Sequence, residues 1–151
     1  MNRLIAAVAI AVLAVAFPAT ADETFRHSKV VLVASQKLPA DDVKLLPVRK
    51  VFLGISTRVN GVALRGLLNT SDAQLTAIFL QNVVAMSAHS YDRRLLTQAL
   101  QSGTPLPIEV ADNAQLVRMI ERNPGALSYM WDDDAIRYPS IKILRVIWQS
   151  E

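Results

Sequence analysis

Apolar positions along this chain fall alternately into short continuous runs and helical stripes. Lys29-Val30-Val31-Leu32-Val33-Ala34 is a β-branched apolar run and predicts a buried first strand. Ser35 to Asp42 is polar, contains Pro39 and reads as loop. Val48, Val51 and Phe52 then recur at i, i+3 and i+4, one face of a short helix. Pro47 suits the first turn of that helix and Gly54 its left-handed stop. Ser56 to Gly61 is turn-like, ending in Asn60-Gly61, and Val62 to Leu68 reads as a second strand that Gly66 weakens. Ser71-Asp72-Ala73-Gln74 has the pattern of a capping box, with Ser71 at the cap and Gln74 at N3. Leu75, Ile78, Phe79 and Val83 form the stripe behind it, and Met86 continues it. A further helix is expected from near Ser90 to Gly103, with Tyr91, Leu95, Leu96, Ala99 and Leu100 inward.

Thr104-Pro105-Leu106-Pro107 must be extended or loop, and Ile108-Glu109-Val110 is a short strand. Asp112 or Asn113 caps the next helix, which ends at Asn123 because a residue before proline avoids the α region. Gly125 offers a φ > 0 corner after Pro124. Ala126 to Met130 has the length and composition of a strand sunk in a sheet. Trp131 to Asp134 leaves the sheet, and Ile141 to Trp148 returns as a last strand with Pro139 at its entrance. Strands and helices interleave throughout. The predicted class is α/β, with a parallel or mixed sheet covered by helices.

The first residues belong to a different pattern. Met1-Asn2-Arg3 is a small basic start, Leu4 to Phe17 is an uncharged apolar run of 14 residues, and Ala19-Thr20-Ala21 is an A-x-A cleavage site. A bilayer span needs about 20 apolar residues, so residues 1–21 read as a cleaved signal peptide and residues 22–151 as one exported domain. Without Arg3, 15 of the 16 basic side chains face 13 acidic ones. That balance, with no long basic run, excludes a nucleic-acid partner as an expectation. The chain has no cysteine, so packing without disulfides must hold an exported fold, and a periplasmic location fits best.

Several strings, in order, resemble the small phosphate-binding-protein-like family. These are exported single domains related to one lobe of the type II periplasmic substrate-binding proteins of phosphate ABC transporters. Arg49-Lys50-Val51-Phe52-Leu53-Gly54 resembles the family's R-x-I-F-L-G. Ser102-Gly103-Thr104-Pro105-Leu106-Pro107 resembles T-G-x-x-x-P-P, and Asn123-Pro124-Gly125-Ala126-Leu127-Ser128-Tyr129 resembles N-P-G-A-I-G-Y. The resemblance implies a single lobe of a type II periplasmic-binding-protein-like fold. It implies a non-enzymatic, accessory or sensory role with weak oxyanion binding. The alternative is a ligand-less interaction module that docks on an envelope sensor or transporter.

The expected site is weaker than the expected fold. Full-length phosphate binders place a G-S-G-T turn at a helix N-terminus, where amides and dipole favour an oxyanion. The matching stretch here is Asn69-Thr70-Ser71-Asp72, which keeps two hydroxyls but lacks the glycines and adds an acid. The candidate ligand residues are Thr70 and Ser71, with Ser102, Gly103 and Thr104 as a second group of amides and hydroxyls. A plain cap explains Ser71 and a helix stop explains Ser102 to Thr104. Arg93 and Arg94 offer a cationic pair or a solvated face. Asp132-Asp133-Asp134 lacks the calcium-loop spacing, and His27 and His89 stand apart, so no metal or cofactor is expected. One lobe offers half a cleft, so tight binding of an oxyanion would need a second copy or an envelope membrane protein to close over it.

Overall fold

The computed structural model describes residues 28–151; the expected signal peptide lies outside them. The elements in order are β1 (Lys29–Ser35), α1 (Leu45–Phe52), β2 (Arg58–Val59), β3 (Val62–Ala63), β4 (Arg65–Asn69), α2 (Ala73–Phe79), α3 (Ala88–Ser102), β5 (Ile108–Val110), α4 (Asn113–Arg122), β6 (Ala126–Trp131), α5 (Asp132–Ala135) and β7 (Ile141–Gln149). Five strands make one sheet in the order β5-β4-β6-β1-β7, and β2-β3 is a separate hairpin. β5 and β6 run parallel to β4, whereas β1 is antiparallel to both β6 and β7. The expected mixed α/β sheet is the one observed. Among the described residues no helix is long and apolar enough to cross a membrane.

Side chains alternate across a strand, and here both faces are covered. Val30, Leu32 and Ala34 of β1 join Leu68, Leu127 and Tyr129 against α1, α2 and α3. Val31 and Val33 join Leu67 and Met130 against Leu116, Val117 and Ile120 of α4. Double coverage explains why β1 and β6 read as unbroken apolar runs rather than alternating ones.

Four local expectations differ from the structure. The stretch 62–68 is two strands: Asn60 (φ 47°) and Gly61 (φ 81°) form a left-handed pair that turns β2 back onto β3, and β4 starts after it. Two successive φ > 0 residues are the geometry a two-residue hairpin needs. The stripe Leu75 to Met86 is α2 followed by a π turn, Leu80–Val84, which ends on Ala85 at φ 60°. That wider turn brings Leu80 and Val84 inward beside Phe79 and Val83. On α3 only Tyr91 and Leu95 are buried; Leu96 and Leu100 face solvent, 54% and 87% exposed, because no element among the described residues covers that side. Gly125 is not in the left-handed region. Its lack of a side chain serves space instead, since a Cβ there would overlap the Ala63 carbonyl oxygen.

The centre of the first core is aromatic. Phe79 stacks on Tyr129 with ring centres 3.8 Å apart, and Phe52 meets Phe79 edge-on at 4.7 Å. The two buried tyrosines differ in one respect. Tyr91 donates its hydroxyl to the Phe52 carbonyl at 2.6 Å, which satisfies the last residue of α1. The Tyr129 hydroxyl makes no hydrogen bond, because the neighbouring Thr76 hydroxyl is directed at the carbonyls of Asn69 and Asp72. Tyr91→Phe is therefore expected to cost about 1–2 kcal/mol by orphaning a buried carbonyl, and Tyr129→Phe to be neutral or stabilising. Urea midpoints of the two variants check this.

Burial holds both phenols well above their ordinary value of 10.0, with Tyr129, Asp92 and Glu109 adding to the effect at Tyr91. Above pH 10 the unfolded chain releases these protons and the folded chain keeps them. Stability is fully present below that pH and falls above it, by about 1.4 kcal/mol per pH unit for each tyrosine. A pH series of urea melts from 8 to 11, repeated with both tyrosines replaced by Phe, isolates the contribution.

Candidate functional site

β4, β5 and β6 are mutually parallel, so their carboxyl ends share one edge of the sheet. In open α/β sheets ligands bind in the crevice outside such ends. Asn69 closes β4, Val110 closes β5 in register with it, and Trp131 closes β6. The turns that follow them bring Asn69, Ser71, Asp72, Asn113, Trp131 and Asp134 into one network.

Asn69 is fully buried and anchors it. Its amide donates to the Tyr129 carbonyl at 2.9 Å and to Asn113 Oδ1 at 3.0 Å, while its Oδ1 accepts from the Ser71 amide at 3.1 Å. Asn113 donates onward to Asp134 Oδ2 at 3.3 Å. A single side chain thus ties β4 to β6 and to the start of α4. Ser128, also fully buried, donates to the Leu67 carbonyl at 2.8 Å and adds a second tie between β6 and β4.

The cap of α2 is Asp72, not the expected Ser71. Asp72 Oδ1 accepts from the amides of Gln74 at 2.7 Å and Leu75 at 3.2 Å, and Oδ2 accepts from the Trp131 indole at 3.0 Å. The chain is drawn one residue further because Asn69 holds the Ser71 amide, leaving Asp72 in the extended conformation a cap requires. The donors that an oxyanion would use at this helix start are therefore satisfied by a protein carboxylate. Asp112 caps α4 in the same way, accepting from the Gln115 amide at 2.9 Å.

Asp132, Asp133 and Asp134 form the first turn of α5, and all three are half-buried. Asp134 pairs with Arg137 at 3.6 Å. Among the described residues no three acidic or histidine side chains form a group that could hold a metal ion.

The five candidate ligand residues are not brought together. Thr70 and Ser71 are exposed at the carboxyl end of β4, where the Thr70 amide donates to the Val110 carbonyl. Ser102, Gly103 and Thr104 lie at the other end of the strand. Thr104 lines a cavity of ≈ 480 Å³ with Gly54, Arg65 and Gly66. β4 separates the two groups by about 16 Å at a strand rise of roughly 3.3 Å per residue. Gly103 is the left-handed stop of α3 (φ 66°), and the Ser102 hydroxyl donates to the Gln98 carbonyl at 2.7 Å. The sequence reading placed Asn69 in a turn, Asn113 at a cap and Trp131 at the end of a strand but did not join them, since their meeting depends on which strands are neighbours.

No family model matches the sequence, and no curated protein matches it. Solved structures do. An ABC-type phosphate transport receptor from Vibrio cholerae aligns at a TM-score of 0.58 with 12% identity, over 78% of this chain and 46% of that one. A possible phosphate binding protein from Planctomyces limnophilus gives 0.55 and 11%, over 82% and 45%. PstS from Borrelia burgdorferi gives 0.50 and 14%, over 82% and 49%. The chain spans about half the length of these proteins, and at such identities it shares their fold: a mixed α/β lobe of the phosphate-binding-protein kind.

Proposed function

We propose that this protein is an exported, non-enzymatic domain that has kept the lobe of a phosphate-binding protein and works as an accessory interaction module of the periplasmic envelope. The observation that carries this reading is the Asp72 carboxylate, which takes the α2 amides and the Trp131 indole itself. An entering phosphate would have to displace that carboxylate from the amides and the indole it already holds. Repulsion between like charges in a partly dry crevice opposes this. The partner is an envelope membrane protein such as a sensor or transporter. The rival reading, weak oxyanion binding near Thr70 and Ser71, draws on the fold it shares with phosphate-binding proteins.

Isothermal titration with phosphate, sulfate and acetate separates the two. The expected result is no saturable heat up to about 10 mM ligand, the regime of affinities weaker than roughly −3 kcal/mol. Saturable heat with phosphate, abolished by Thr70→Val or Ser71→Ala, would establish solute binding and overturn the proposal. Asp72→Ala is expected to lower stability by about 1–2 kcal/mol, through the lost cap and the orphaned indole.

A further inference from the structure

β5 begins too late to cover the whole edge of β4. The Arg65 amide donates to the Gly125 carbonyl on the β6 side, and the Thr70 amide donates to the Val110 carbonyl of β5. In a parallel ladder alternate residues turn their backbone groups to alternate neighbours, so Gly66 faces the β5 side as Thr70 does. β5 starts at Ile108, opposite Leu67. By the same alternation its first carbonyl serves Leu68, one step beyond the reach of Gly66. The segment before it, Thr104-Pro105-Leu106-Pro107, accepts nothing from the Gly66 amide. That amide therefore opens onto a gap beside the strand.

The gap is the cavity of ≈ 480 Å³ between the stop of α1, the first residues of β4 and the segment entering β5. Its size is that of a small-molecule site. Val51, Ile55, Leu106 and Pro107 supply apolar walls, and Ile55 and Leu106 are left 43% and 51% exposed. No acidic side chain lines the cavity, whereas Arg65 does. Among the described residues the ion pairs are Arg137–Asp134, Lys142–Asp41 and Arg145–Asp42, so Arg65 has no acidic partner there. One cation and one backbone donor, adjacent in the chain, thus stand at the polar end of an apolar recess.

We infer that this cavity binds a monocarboxylic acid with an apolar body of about six to eight carbons. One carboxylate oxygen accepts from the Gly66 amide and the other meets the Arg65 guanidinium, a charge-assisted pair of contacts that a single headgroup can make at once. The body lies against Val51, Ile55, Leu106 and Pro107 and shields area that is otherwise wet. Phosphate and sulfate suit the site poorly, because the apolar walls offer their remaining oxygens no donors. The inference stands whether or not the carboxyl edge of the sheet takes a solute, since the cavity lies at the other end of β4.

Amide NMR on the protein as the cell processes it, titrated with octanoate, hexanoate and the neutral octanamide, tests the assignment. The Gly66 amide is expected to shift saturably with octanoate at a dissociation constant of order 1 mM, the level of a ligand of about ten atoms in a half-open site. Hexanoate is expected to bind about threefold more weakly, through the loss of two partly buried methylenes. Octanamide keeps the body and loses the charge, at a cost of about tenfold. Arg65→Gln is expected to weaken octanoate by about tenfold and to leave octanamide unchanged, with an unaltered melting temperature because Arg65 is exposed. Ile55→Asp, which removes a wall and repels the carboxylate, is expected to abolish saturation. Acetate has the headgroup without the body and is expected not to saturate, which keeps this site apart from the calorimetric test of the carboxyl edge. A Gly66 amide that fails to shift saturably by about 20 mM octanoate, shifts confined to other residues, or an octanoate affinity indifferent to Arg65→Gln would each overturn the inference.

Discussion

Gly125→Ala is expected to destabilise the protein by about 3 kcal/mol or more, at the upper end of what overpacking costs. The added Cβ would overlap the Ala63 carbonyl oxygen and sit 2.9 Å from its carbon and 3.2 Å from Val62 Cγ1. These are mostly backbone atoms of β3, so no side-chain rotation relieves the clash. The Gly125 carbonyl also accepts from the Arg65 amide at 2.8 Å, the bond that starts the β4–β6 pairing. Pushing the segments apart loses it as well. A fall in melting temperature of about 10 °C is the corresponding observable for a domain of this size. Gly125→Asn distinguishes the cause. If the position needed a left-handed residue, Asn would be better tolerated than Ala; under the steric account it is worse.

The second large effect is expected at Asn69. Asn69→Leu keeps the branched outline of the side chain but leaves the buried Tyr129 carbonyl and the Ser71 amide without partners. Unpaired buried groups cost about 1–3 kcal/mol each, so a loss of about 3 kcal/mol is expected in urea unfolding. Amide exchange should report it locally. Gln74 and Leu75, protected by Asp72, are expected to exchange faster once the Ser71 turn that positions Asp72 is released. Unchanged exchange at these amides would mean that Asp72 is placed without Asn69.

The architecture was largely legible from the chain because it rests on local rules. Alternation of short apolar runs with helical stripes placed β1, α1, β5, α4, β6 and β7 within a few residues of their observed bounds. Gly54 and Gly103 do terminate α1 and α3 in left-handed geometry. The failures share a cause. Ser71 was the better cap by local pattern, but Asn69 claims its amide from within the turn and hands the cap to Asp72. Leu96 and Leu100 fit an inward stripe by hydrophobicity, yet burial depends on whether a neighbour exists on that side, and among the described residues α3 has one only along Tyr91 and Leu95. The candidate ligand residues were grouped by motif, although Thr70 and Thr104 stand at opposite ends of β4.

By itself the sequence determined the class of fold, the order of its elements and the resemblance to a binding-protein lobe, because helix and strand periods, caps and stops are written in residues close along the chain. Only the tertiary structure decided what the crevice contains. Asp72, Trp131, Asn113 and Asn69 meet because β4 lies between β5 and β6. That strand order is a long-range packing outcome, and it turns a helix start that would receive an anion into one already occupied by the protein's own carboxylate.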